Sequence, residues 1–213
     1  MFHMSDLLPL FPLPNVVLFP NVFLPLHIFE PRYREMVADA VASDRMIGMV
    51  LLRPGWEREY EGRPPVYTVG CSGVLTHVER MADGRYNLVL RGLERFRIVE
   101  EDHGRSYRRV SIEPLPETRL SADDRAAIRN QRSKLESMLS PAVERAGGDY
   151  RTPSAMSDED LVNALAQYLD LEVLEKQALL QQPSLRTRAA ALVELLEMKI
   201  MIARTTGLSN VAH

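Results

Sequence analysis

The side chains through which this 213-residue chain could do acid–base, metal or nucleophilic chemistry are few: five histidines, three lysines and one cysteine. His3, His27, His77, His103 and His213 include no pair four residues apart, so no helical turn presents two imidazoles to a zinc ion. Glu100-Glu101-Asp102-His103 is the one acidic run beside a histidine, and it reads as a solvated turn between strands. Cys71 sits in a strand pattern between Val69 and Leu75, a neighbourhood that suits a buried structural thiol. A single cysteine also excludes an internal disulfide and any cysteine-rich metal site. Lys134, Lys176 and Lys199 fall in helical patterns among polar neighbours, the ordinary surface arrangement, whereas a serine–lysine nucleophile needs an activated lysine. No glycine is followed by lysine anywhere, so the G-x-x-x-x-G-K-[ST] loop that cradles nucleotide phosphates is missing. The expectation is a chain that is not an enzyme, with no catalytic residue, no metal and no cofactor.

Binding is what remains. Arg85, Arg91, Arg95, Arg97, Arg105, Arg108 and Arg109 lie in one stretch, and Arg95 and Arg97 should share a strand face. RNA binding through Arg91, Arg95 and Arg97 is therefore one reading, but Glu94, Glu100, Glu101 and Asp102 interleave with them and cancel much of the potential. The other reading is a surface for a polypeptide. Trp56 and Tyr60 occupy a polar loop where a core has no obvious use for them, and the N-terminal stretch is rich in proline and large apolar groups. An apolar groove rimmed by arginine suits peptide recognition, with Phe19, Leu24, Leu26, Trp56 and Tyr60 as its expected contacts.

The elements that must position these residues fall into two halves. Apolar residues make up 46% and charged residues 26%, the balance of a globular protein. A net charge of −3 and a pI of about 6.0 do not suit a chain dominated by nucleic acid or anionic membrane. Met1 to Leu26 holds five prolines and no lysine or arginine, so it lacks both the basic region and the continuous helix of a secretory signal. No stretch reaches the roughly 18 uninterrupted apolar residues of a membrane span. A cytoplasmic protein is expected.

From Leu7 to about Glu113 the pattern is β-rich. Short apolar runs at Val16–Phe19 and Val22–Leu26 flank the turn signal Pro20-Asn21. Pro31 opens a helix whose apolar face is Tyr33, Met36, Val37 and Ala40. Strand patterns follow at Met46–Leu52, Val66–Val78, Tyr86–Leu90, Phe96–Ile98 and Val110–Ile112, with Asp83-Gly84 as a hairpin turn and Gly70 and Gly73 as bends. Strands in this number suggest a closed or nearly closed small barrel. After Pro116 the pattern is helical. Ser121 with Asp124 forms a capping box ahead of a helix carrying Ile128, Leu135, Met138 and Leu139, which Gly147-Gly148 ends. Asp149–Ala155 is a connector. Ser157, Asp170 and Ser184 can cap three further helices, the last running to about Arg204 with Gly207 as its stop. The expected fold is α+β, with a β-barrel carrying one helix at 1–116 and a helical subdomain at 117–213.

Several of these segments, in order, resemble one family. Leu8-Pro9-Leu10-Phe11-Pro12-Leu13, Val16-Val17-Leu18-Phe19-Pro20 and Leu24-Pro25-Leu26-His27-Ile28-Phe29-Glu30-Pro31-Arg32-Tyr33 are similar to the opening of LON-domain proteins. Ile47-Gly48, Val69-Gly70-Cys71, Asp83-Gly84-Arg85 and Arg91-Gly92-Leu93-Glu94-Arg95-Phe96-Arg97-Ile98 continue the likeness, and Leu169–Leu196 resembles that family's helical tail. The resemblance implies a PUA-like β-barrel followed by an α-helical bundle. In the Lon protease this region precedes the ATPase and protease domains and helps capture unfolded or tagged substrates. The present chain is expected to lack both of those domains. The resemblance thus implies a stand-alone, non-catalytic polypeptide-binding module, an adaptor or accessory in protein quality control. Its partners would be unfolded or tagged polypeptides, or a protease or chaperone.

Overall fold

The computed structural model describes residues 7–59, 62–145 and 156–209. Tyr60, the Gly147-Gly148 stop and the connector at Asp149–Ala155 lie outside the described residues. The described chain forms two compact units. One comprises the residues up to Pro116 together with Gln167–Gln181; the other comprises Glu117–Ala166 and the residues from Gln182 onward. The sequence pattern places 167–181 with the other helices, whereas its packing is with the strands.

In the first unit the strands are β1 (Leu8–Leu13), β2 (Phe23–Ile28), β3 (Met46–Leu51), β4 (Val69–Arg80), β5 (Tyr86–Asp102) and β6 (Arg108–Leu115). Their order is β2-β5-β4-β3-β1-β6, with β6 pairing again to β5. The pairings therefore close a ring of five strands, and β2 is attached outside it on the first half of β5. β1 and β3 run parallel, with Leu10 opposite Gly48, and helix α1 (Pro31–Ala42) lies between them in sequence. Leu8, Leu10, Met46, Val50, Phe96 and Val110 form a buried cluster. β3 is buried along its whole length, which explains its unbroken apolar run. A Cβ at Gly48 would press on the side-chain ends of Leu8 and Phe96, which would have to shift to admit it.

Several expectations hold residue for residue. Tyr33, Met36, Val37 and Ala40 are the buried face of α1. Gly84 turns the β4–β5 hairpin at φ +80°, and Asp83 Oδ1 accepts the Arg85 N–H at 3.0 Å. Others change. Val16–Phe19 is not a strand; Val17, Leu18 and Phe19 are buried in irregular backbone. The two runs at 86–90 and 96–98 are one 17-residue strand, bent by register shifts against β4 and β6. The acidic run at 100–102 is the end of that strand rather than a turn.

In the second unit α2 (Ala122–Arg145) and α5 (Leu185–Ser209) are long helices, and α3 (Asp158–Tyr168) starts there. The caps expected at Ser121, Ser157 and Ser184 are all made by hydroxyl acceptors, for Asp124 N–H at 3.0 Å, Asp160 N–H at 3.0 Å and Thr187 N–H at 3.2 Å. α5 continues through Gly207, which does not stop it. The short α4 (Val173–Leu180) belongs to the first unit. Its cap is Glu172 rather than Asp170, with the Glu172 N–H bonded to the Glu175 carboxylate at 2.7 Å.

Candidate functional site

Among the described residues β2 pairs with β5 alone, so it is an edge strand. Gly92 donates its N–H to the Val22 carbonyl at 2.9 Å, which puts Val22 at a hydrogen-bonded position against β5. The register then runs unbroken from Phe23 opposite Arg91 to Ile28 opposite Tyr86. In an antiparallel pair such positions alternate. Leu24, Leu26 and Ile28 therefore turn their backbone groups to β5, and Phe23, Pro25 and His27 turn theirs outward. Pro25 stands where a missing N–H interrupts no ladder bond. The Phe23 carbonyl accepts a bond from Tyr168 Oη at 2.9 Å.

The side chains on this outward set are open to solvent. Phe23 is 49% exposed, Phe29 just beyond the strand 60%, and Tyr168 67%. The His27 and Phe29 rings stack at 6.4 Å. His27 Nδ1 lies 2.8 Å from Asn87 Oδ1, and Nε2 lies 3.3 Å from Arg85 Nη1. The Arg91 guanidinium sits 6.0 Å from the Phe23 ring centre. The edge thus carries an aromatic strip with arginine beside it.

The segment that delivers Tyr168 is fixed to the strands by buried polar groups. The Phe19 N–H donates to Gln167 Oε1 at 3.2 Å, Gln177 Nε2 donates to the Val69 carbonyl at 3.0 Å, and Arg95 Nη1 donates to the Leu180 carbonyl at 3.2 Å. Lys176 is partly buried, not freely solvated; its Nζ donates to the Gln167 carbonyl at 2.6 Å. Burial holds its pKa below the usual lysine value, against the opposing pull of Asp170.

The residues expected as polypeptide contacts are distributed differently. Phe19 is fully buried and belongs to the core, because the irregular segment that carries it turns inward. Leu24 and Leu26 are half-buried, opposite the buried Leu90 and Leu88. Trp56 is half-buried at the start of a short 3₁₀ turn. The sequence pattern does not single out Phe23, Phe29 and Tyr168, the exposed aromatic residues of this edge. The alternation Phe23-x-Pro25-x-His27 was the available signal, since a proline within a strand marks an edge.

The three arginines expected to serve RNA do not make one wet face. Arg95 is 3% exposed, covered by the end of α4 that its guanidinium caps. Arg97 pairs with Glu113 at 3.3 Å, and Arg91 reaches Asn21 Oδ1 at 3.3 Å. Cys71 is buried. Among the described residues no group of three or more histidine, cysteine or acidic side chains is placed to hold a metal, and no helix is long and apolar enough to cross a membrane.

Residues 7–198 match the model of the ATP-dependent protease La (LON) substrate-binding domain. The chain belongs to that family. It is 31% identical over 205 residues to the Lon protease of Anaeromyxobacter dehalogenans, covering 94% of this chain and 24% of that protein. It is 28% identical over 207 residues to Lon protease 2 of Myxococcus xanthus, covering 95% of this chain and 25% of that protein. The chain thus spans about a quarter of the length of the curated relatives it matches. The N-terminal domain of the Mycobacterium avium complex Lon protease superposes with a TM-score of 0.67 at 20% identity, covering 90% of this chain and 98% of that one. A Lon N-terminal domain protein from Xanthomonas campestris gives a TM-score of 0.58 at 23% identity, covering 89% of this chain and 98% of that one. These two likenesses establish the α+β fold of a Lon N-terminal domain.

Proposed function

We propose that this chain is a non-catalytic polypeptide-binding module that takes extended, apolar segments at the outer edge of β2. Membership of a substrate-binding family supports the class of ligand. The single observation that carries the location is the outward edge of β2 with Phe23, Phe29 and Tyr168 exposed along it. An extended segment can add to such an edge through main-chain hydrogen bonds while its apolar side chains cover the rings. Pro25 removes one donor from the edge, which suits transient substrates and disfavours permanent pairing with another copy. Leu24 and Leu26 contribute apolar surface from the same strand, and Trp56 on its 3₁₀ turn is a further candidate contact. In this reading the protein works as an adaptor or accessory in cytoplasmic protein quality control, alongside a protease or chaperone.

The test is Phe23→Ser with Phe29→Ser, measured by fluorescence anisotropy against labelled, reduced and carboxymethylated α-lactalbumin, a permanently unfolded chain. Truncating two exposed aromatic anchors should weaken binding about tenfold or more while circular dichroism stays unchanged. Equal affinity in a folded double variant would remove β2 as the site.

A further inference from the structure

A second feature of the strand-rich unit lies apart from the β2 edge. A cavity of about 310 Å³ is lined by Arg32, Arg63, Arg105 and Arg108, with Tyr33 and Tyr107 among its walls, and among the described residues no acidic side chain lines it. The carboxylates that pair with these arginines are not among the lining residues. Glu101 Oε1 accepts from Arg63 Nη1 at 2.6 Å and lies 3.4 Å from Arg108 Nε. Glu30 pairs with Arg32 at 3.0 Å. Glu35 and Asp39 each stand 3.6 Å from Arg105 Nη1, and both carboxylates are engaged elsewhere, by Ser106 Oγ at 2.6 Å and Tyr107 Oη at 2.7 Å.

Two of these arginines have donors left over. Arg108 has a side chain only 8% exposed. Its Nε faces Glu101, and its Nη2 donates to the Pro64 carbonyl at 2.6 Å. Among the described residues its Nη1 has no hydrogen-bond acceptor, and it is not sealed from solvent. Among the described residues Arg105 has ion pairs only at 3.6 Å, longer than a hydrogen bond. A nearly buried guanidinium with two unspent N–H groups at a cavity wall can donate to an acceptor that enters the cavity. Burial holds the Arg108 guanidinium below the ordinary arginine range, Glu101 offsets this in part, and the nearby Arg63 and Arg32 add to it.

We propose that this cavity is an oxyanion site, receiving a phosphate or carboxylate group on the spare donors of Arg108 and Arg105. Guanidinium forks match both groups in shape and charge, and the tyrosine walls accommodate the body of the ligand. The site is independent of the β2 edge, and either can fail without the other.

The experiment is isothermal titration of the full chain with inorganic pyrophosphate, with an N-acetylated tripeptide ending in a free carboxylate, and with the same peptide amidated. The expected result is binding of pyrophosphate or of the free-acid peptide, weakened by added salt. Arg105→Gln, at a half-exposed position, should weaken it about tenfold. Arg97→Gln, on an exposed pair elsewhere, should leave it unchanged. Pyrophosphate binding alone identifies phosphate as the source, free-acid peptide binding alone identifies a polypeptide terminus, and binding of both marks a general oxyanion site. Arg108→Gln, checked for folding by circular dichroism, is the second variant. No binding of either anion at millimolar concentration would overturn the proposal. So would equal binding of the acid and amide peptides without any pyrophosphate binding, or affinities that both folded arginine variants leave unaltered.

Discussion

In the strand-rich unit the buried polar side chains reach backbone groups far away in sequence, whereas in the helical unit they reach one another. Gln177 donates to the carbonyl of Val69, Arg95 donates to the carbonyl of Leu180, and Gln167 accepts the N–H of Phe19. Arg188, by contrast, donates to Asn163 Oδ1 at 3.0 Å and to Glu117 Oε1 at 2.6 Å. The elements explain the difference. A ring of bent strands entered by irregular chain leaves backbone groups that the ladder does not pair, and each one buried needs a partner. Leu180 likewise ends a helix, where the last carbonyls are unpaired. Long helices such as α2 and α5 bond their own interiors, so a buried polar side chain between helices must find another side chain.

That contrast can be broken most sharply at Arg188, which is 0% exposed. Arg188→Met leaves Asn163 and the Glu117 carboxylate without their cation, and removing one partner of a buried pair costs about 3 kcal/mol or more. Urea unfolding should show the loss as a lowered midpoint at unchanged slope. Amide exchange should lose protection at 158–166 and 185–193 while 46–51 keeps its own. An unaltered midpoint would mean that apolar packing replaces the network at no net cost.

The matching perturbation in the strand-rich unit strikes backbone rather than charge. A Cβ at Gly70 would collide with the Met49 carbonyl oxygen and crowd Val50 and Phe96. The oxygen cannot swing aside as a side-chain tip would. Gly70→Ala should therefore cost about 2 kcal/mol through overpacking, with exchange protection falling at 46–51 and 69–75. A variant as stable as the parent would show that the strands can part by the needed distance, and the unit would then not depend on close backbone approach.

The same contrast governs what could be read from the chain. Whatever is local was legible. The α1 face, the Asp83-Gly84 turn and the caps at Ser121, Ser157 and Ser184 each depend on residues within a few positions of one another. The departures are long-range. Val17, Leu18 and Phe19 are apolar because they are buried, but what they bury against determines that they are not a strand. Arg95 and Arg97 share a strand face as their spacing requires, yet one is covered and the other wet because α4 lies over only the first. Family resemblance suggests a class of ligand but not the surface that would take it. The proposed site rests on which positions of β2 face away from β5, and that is a property of register rather than of composition. Gly207 within α5 shows the converse, a strong local stop signal that the helix runs through.

The smallest expected effect returns to the helical unit and to a charge outside its interior. Asp124 is partly exposed, yet its carboxyl is pushed down to about 2 from an ordinary value of 3.8. The largest cause is the hydrogen bond from the Ser121 hydroxyl, followed by the Arg186 guanidinium and the Ser121 backbone N–H. Because the folded value lies below the unfolded one, the ionised group stabilises the folded chain fully above about pH 4, and that contribution fades as pH falls towards 2. Asp124→Asn keeps the cap's shape without the ion. The variant should melt slightly lower than the parent at pH 7, and the gap should close as pH approaches 2. Salt should narrow it at neutral pH, since Arg186 reaches Asp124 at 3.0 Å across an exposed surface. A gap that persists at pH 2 would assign the effect to cap geometry alone. The charges that stabilise the helical unit would then be the more buried ones, Arg188 with Glu117 and Arg132 with Asp158.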